Sequence, residues 1–207
     1  MDVSRPYAVF TSPLDIEVLL VLRGTTRPLT GREVARLASR GSEAGVRQAL
    51  ARLTQQGLVQ RQEAGRALLH TLNRDHLAIP ALETLATMHD ELRRRLTDEI
   101  SSWTVQPEHV SIFGSTARRD GDARSDIDVF VVRPAGVSDD DRHWREQLEQ
   151  LAAHAQRWTG NHLAVSEIGA RELRRLRREN PPIVEGLRND ALTLAGRDTR
   201  QLLTGRR

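Results

Sequence analysis

A chain of 207 residues with no cysteine, 31 basic side chains that are all arginine and 28 acidic ones can bury one or two cores of its own, and it excludes disulfide scaffolds and thiolate zinc sites. No apolar run approaches the roughly 20 residues of a membrane span and no basic segment followed by a hydrophobic run opens the chain, so the expectation is a protein of a reducing cytoplasm with no membrane contact. Residues 1–75 carry 11 arginines against 7 carboxylates and residues 76–207 carry 20 against 21, which puts the basic excess, and the first thought of a nucleic-acid partner, in the N-terminal part.

Ser12-Pro13 reads as a helix start, with Leu14, Val18, Val21 and Leu22 at helical spacing until Gly24. Thr30 with Glu33 forms a capping box for a second helix, whose buried stripe is Val34 and Leu37 and which is expected to end before Gly41. Ser42 opens a third, in which Val46, Ala49, Leu50 and Leu53 face inward and Arg47, Gln48 and Arg52 are left on other faces. Two short strands are expected at residues 57–61 and 67–72, around the turn Glu63-Ala64-Gly65-Arg66. Three helices followed by a hairpin resemble a winged helix-turn-helix of the bacterial transcription-regulator type. The resemblance implies binding of double-stranded DNA, with Ser42, Arg47, Gln48 and Arg52 on the recognition helix and Arg61 and Arg66 on the wing. Glu43 at the start of that helix counts against tight phosphate contact, and winged helices also serve as protein–protein modules.

Between residues 76 and 106, Pro80 stands where a helix can begin, and Leu82, Leu85, Met88, Leu92, Leu96, Ile100 and Trp103 recur mostly three or four apart, which predicts one long amphipathic linking helix. It packs on the C-terminal domain or pairs with its own copy in a homodimer, two alternatives the spacing does not separate.

The strand His109–Phe113 then runs into Gly114-Ser115-Thr116-Ala117-Arg118, and a second strand carries Ser125-Asp126-Ile127-Asp128 ahead of the apolar run Val129–Val132. Strand side chains alternate, so Asp126 and Asp128 share one face while Ile127 enters the core. Two adjacent carboxylates repel, and a hard divalent cation such as Mg2+ or Mn2+ is the natural relief. Gly114 lets backbone approach a ligand closely, and the polar and basic residues after it suit a polyphosphate. A helix over about 138–158, a strand over 162–168, an arginine-rich helix over 170–179 and a last helix over 183–189 complete the expected domain.

Gly114-Ser115, Ala117-Arg118 and Ser125-Asp126-Ile127-Asp128 resemble the signature of the DNA polymerase β-like nucleotidyltransferase superfamily, and within it the minimal nucleotidyltransferase group. The resemblance implies an α+β chain: a winged helix-turn-helix domain (1–75), a linking helix (76–106) and a small nucleotidyltransferase domain with a mixed sheet flanked by helices (107–207). It implies transfer of a nucleoside monophosphate, AMP foremost, from a nucleoside triphosphate to a protein, RNA or small-molecule acceptor. Asp126 and Asp128 are the implied metal ligands, and Glu167, the only acidic residue in the later strand, takes the place of the third catalytic carboxylate. Gly114, Ser115, Thr116, Arg118 and Ser125 are the implied nucleotide contacts. The group includes antitoxins that modify a partner toxin; the alternative is a nucleotide-sensing transcriptional regulator whose nucleotidyltransferase domain is catalytically inactive, and the orientation of Glu167 separates the two.

Overall fold

A computed structural model describes residues 13–39, 41–118 and 124–204. The chain divides into two compact units, one ending at Met88 and the other beginning at His89. Among the described residues no helix is long and apolar enough to cross a membrane.

The N-terminal unit runs α1 (Pro13–Arg23), β1 (Leu29–Thr30), α2 (Gly31–Leu37), α3 (Glu43–Gln55), β2 (Val59–Ala64), β3 (Ala67–Leu72) and α4 (Ile79–Ala86). Ser12, expected at the start of α1, lies outside the described residues. The Thr30–Glu33 capping box is formed in both directions, and Ser42 Oγ accepts from the Gly45 amide, 3.1 Å away. Helix α2 stops at Leu37, short of Gly41, because Ala38 is already extended. Its Leu37, expected in the buried stripe, is instead 54 % exposed. Val46, Ala49, Leu50 and Leu53 of α3 are buried with Val18, Leu22, Val34, Val59 and Leu72 in one core. The two strands expected here are a three-stranded antiparallel sheet of order β1-β3-β2, with Leu29 opposite His70 and Val59 opposite Leu72. β1 is only two residues long, too short to show a period.

The single linking helix expected over 76–106 is two helices, α4 and then α5 (Met88–Ser101). Thr87 ends the first, its amide bonded to the carbonyls of Glu83 and Thr84 and its hydroxyl to the same two oxygens. Leu82 belongs to the N-terminal core, whereas Leu92, Leu96 and Ile100 belong to the C-terminal one. One apolar stripe in sequence therefore serves two cores.

The C-terminal unit continues with β4 (His109–Phe113), α6 (Gly114–Arg118), β5 (Ile127–Val132), α7 (Arg142–Thr159), β6 (Leu163–Ile168), α8 (Ala170–Glu179), α9 (Pro182–Asp190), β7 (Leu192–Gly196) and α10 (Thr199–Thr204). The sheet is mixed, of order β6-β5-β4-β7, with β5 and β6 parallel and the other pairs antiparallel. β7 and α10 follow the helix expected to be last. Alternation along β5 divides the cores: Ile127, Val129 and Val131 pack with α5 and α7, whereas Phe130 and Val132 pack with Leu173, Val184, Leu187 and Leu202. In the first core Trp103 and Trp144 meet edge to face, their ring centroids 5.6 Å apart. Both faces of the sheet are thus covered, and polar groups gather at the end where β4 finishes and β5 begins.

Candidate nucleotide and metal site

β4 ends at Phe113, which lies opposite Asp128 in the antiparallel register, so the turn that follows is carried onto the Asp128 carboxylate. Gly114 has φ +68°, and a Cβ there would lie 2.6 Å from Asp128 Oδ2. Both the conformation and the contact require glycine. Asp126 stands one residue before β5 and Asp128 within it, with Ile127 between them fully buried on the opposite face. Burial pushes the Asp128 pKa above the ordinary aspartate value, the Asp126 charge pushes it the same way, and Arg118 pulls it down without cancelling them.

The surrounding residues hold these groups in place. Thr116 is buried, its hydroxyl 3.4 Å from the Asp126 carbonyl and its own carbonyl 3.1 Å from His89 Nε2. Expected as a nucleotide contact, it sits behind the turn as a support. Arg118 is paired with Asp190 at 3.1 Å. The Ser125 carbonyl accepts from Asn161 Nδ2 at 3.0 Å, and the Ile127 amide donates to the His162 carbonyl at 2.9 Å. The His162 ring comes within 3.9 Å of Asp126 Oδ2. His89, Asn161, His162 and Asp190 were not foreseen. The signal for Asn161 and His162 was the topology, since parallel strands begin at the same edge and the turn before β6 must border the start of β5.

Glu167 is the correction. In the parallel register Asp128 lies beside Ala164 and Val131 beside Glu167, so Glu167 shares the face of Val129 and Val131 and not that of Asp128. It accepts from Trp144 Nε1 at 2.9 Å and pairs with Arg133, whose Nε also donates to the Val137 carbonyl. On the Asp128 side β6 offers Ala164, Ser166 and Ile168. A strand register one residue out exchanges the faces completely. Among the described residues no group of three His, Asp or Glu side chains is placed to hold a metal. What remains is a pair of hard oxygen donors on one face whose mutual repulsion Arg118 only partly offsets, and that donor set fits a divalent cation completed by ligand phosphates and water.

The residues expected at a DNA surface are divided as well. Ser42 is occupied as a cap and Arg52 pairs with Asp15 at 2.5 Å, tying α3 to α1. Gln48 is exposed. Arg47, Arg61 and Arg66 line one cavity between α3 and the β2–β3 hairpin.

No curated protein matches the chain. Among solved structures a similar chain comes from "Crystal structure of the toxin-antitoxin with AMP-PNP", with 16% identity, a TM-score of 0.37, and coverage of 55% of this chain and 82% of that one. Residues 90–179, which contain Gly114, Ser115, Asp126 and Asp128, match the family model of the nucleotidyltransferase domain, and this supports the nucleotidyltransferase superfamily as the relation of the C-terminal unit.

Proposed function

We propose that the C-terminal unit binds a nucleoside triphosphate with a divalent cation at Gly114, Ser115, Asp126 and Asp128 and transfers its nucleoside monophosphate to an acceptor hydroxyl, with pyrophosphate leaving. The observation that carries this is the contact of the Gly114 turn with the Asp128 carboxylate, inside the stretch matching a nucleotidyltransferase domain. Asp126 and Asp128 would hold Mg2+ or Mn2+, which when bound neutralises phosphate charge and polarises the phosphoryl group under attack. Gly114 lets the turn lie against the ligand-bearing strand, Ser115 offers a hydroxyl beside it, and Thr116 keeps the Asp126 backbone in place. Arg118 can exchange Asp190 for a phosphate oxygen. The acceptor is a protein, an RNA or a small molecule. An antitoxin-like role with a partner toxin is the reading the minimal group suggests.

A second reading is favoured by Glu167. With that carboxylate bound to Arg133 and Trp144, two carboxylates remain, which suits binding of one cation and a nucleotide without turnover. The chain would then be a nucleotide-responsive regulator. In either reading the N-terminal unit is a winged helix-turn-helix whose basic residues meet double-stranded DNA, and we propose it acts as a homodimer on a two-fold site.

The test is a transfer assay with purified protein, Mg2+ or Mn2+ and each α-32P-labelled nucleoside triphosphate, with and without lysate or RNA of the source cells, beside an Asp126→Asn/Asp128→Asn control. Label transferred only by the intact site establishes the first reading. Metal-dependent nucleotide binding that alters DNA affinity, without transfer, establishes the second. Absence of any metal-dependent nucleotide binding would sink both.

A further inference from the structure

The N-terminal unit contains a cavity of ≈ 540 Å³ whose origin is visible in the register of its hairpin. Near the base of the hairpin Val59 and Leu72 stand opposite each other and close the core, only 2 % and 7 % exposed. Two residues further along the same face come Arg61 and His70, and two further again Glu63 and Leu68. On α3 the facing stripe is Glu43, Arg47, Leu50, Ala51 and Thr54, spaced four, three, one and three apart, as one side of a helix requires. Toward the hairpin tip the core-facing side of the strands is no longer covered by core residues, and the space between it and the α3 stripe is left open.

Three observations point to a ligand in that space. Leu68 is 42 % exposed although it lies on the face that seals the core two pairs away. His70 is only 7 % exposed, lines the cavity, and its Nδ1 has no hydrogen-bond partner among the described residues. Burial first, and Arg61 after it, hold its pKa below the ordinary histidine value against a hydrogen bond that the ring donates to the Leu29 backbone carbonyl. Arg47, Arg61 and Arg66 line the same walls and form no ion pair among the described residues, while Arg32 pairs with Glu43 at 3.8 Å at one side. Four arginines against one carboxylate, with an apolar floor of Leu50, Ala51, Ala67 and Leu68, make an electropositive site with a nonpolar bed. The volume lies within the roughly 300–1,000 Å³ of small-molecule sites, and Arg suits planar carboxylates and sulfonates.

We propose that this cavity binds a small organic anion with an apolar body, an aromatic or medium-chain carboxylate in kind, its charged end held by Arg47, Arg61 and Arg66 and its body on Leu50, Ala51 and Leu68, against the His70 ring. A duplex would compete for the same arginines from outside, but it is the poorer occupant of the cavity itself. It presents hydrated phosphates that leave Ala51 and Leu68 without an apolar partner, and two further α3 residues expected to meet DNA, Gln48 and Arg52, do not line the cavity. The site is independent of nucleotidyl transfer in the other unit.

The test uses the full chain and the fluorescent anion 1-anilinonaphthalene-8-sulfonate, beside its uncharged relative N-phenyl-1-naphthylamine and a random-sequence DNA duplex. The expected result is saturable one-to-one binding of the anion and a shift of the His70 ring 15N resonances. Arg61→Ala and Ala51→Trp should each weaken binding at least tenfold. Both positions are exposed, so both variants should fold, and a circular-dichroism melt checks this. Leu77→Ser, at a leucine 97 % exposed outside the cavity, should bind as the unchanged chain does. The proposal is overturned by binding that survives both cavity variants, by equal affinity for the uncharged dye, by unmoved His70 resonances, or by an anion that fails to bind where the duplex binds.

Discussion

The sheet of the C-terminal unit holds carboxylates on its two faces, and their surroundings are opposite in kind. Glu167 accepts from Trp144 and Arg133, and Arg133 is itself fixed by the Val137 carbonyl, so each charge has a partner. Asp126 and Asp128 stand on the other side as neighbouring like charges, with the His162 ring 3.9 Å from Asp126 and Arg118 paired to Asp190, and the Asp128 carboxyl is held above its ordinary pKa. A satisfied carboxylate holds a fold together; a pair that the fold leaves strained is completed by something brought from outside.

The largest break in that contrast is Asp128→Asn. It should lower metal-dependent nucleotide transfer, or nucleotide binding if there is no turnover, by at least about 100-fold while the circular-dichroism spectrum is kept. Next comes Gly114→Ala, which forces a side chain into a left-handed turn and against Asp128 Oδ2. A loss of about 1–2 kcal/mol in stability is expected, with nucleotide affinity down roughly 10-fold or more, read by calorimetric titration. Glu167→Gln should do the reverse of what a metal ligand would do: nucleotide affinity stays within about twofold, while stability falls by about 1–3 kcal/mol because Arg133 is left without its anion in a half-buried place. A 100-fold activity loss with unchanged stability would return Glu167 to the metal site. The smallest effect is on pH dependence. Asp128 binds its proton more tightly folded than unfolded, so its contribution is present at acid pH and is lost as pH rises from the unfolded carboxylate range through the raised Asp128 value. At pH 7 without metal, Asp128→Asn should therefore melt a few degrees higher than the unchanged chain, and this difference should disappear in acid.

The side of the contrast that depends on local pattern was legible in the residues. Asp126 and Asp128 two apart, Ile127 between them, and a glycine turn after an apolar strand needed only the period of a strand. The capping box at Thr30 and the inward stripe of α3 followed equally from spacing. Glu167 depended on register across a parallel pair, which no local pattern carries. The break at Thr87 was hidden because the apolar period continues through it, although Leu82 and Leu92 are buried in different cores. The two-residue β1 was too short for a period to show, and its pairing partner, β3, lies some 40 residues further on.

The edge-to-face pair of Trp103 and Trp144 has a practical consequence. All three tryptophans, with Trp158, belong to the unit that begins at His89, and none to the other. Intrinsic fluorescence excited at the indole band will follow melting of the C-terminal unit alone, while far-ultraviolet dichroism follows both. A chain that loses its N-terminal structure first will show a dichroism transition with no change in emission, so the two signals together amount to a built-in measurement of whether the units unfold as one.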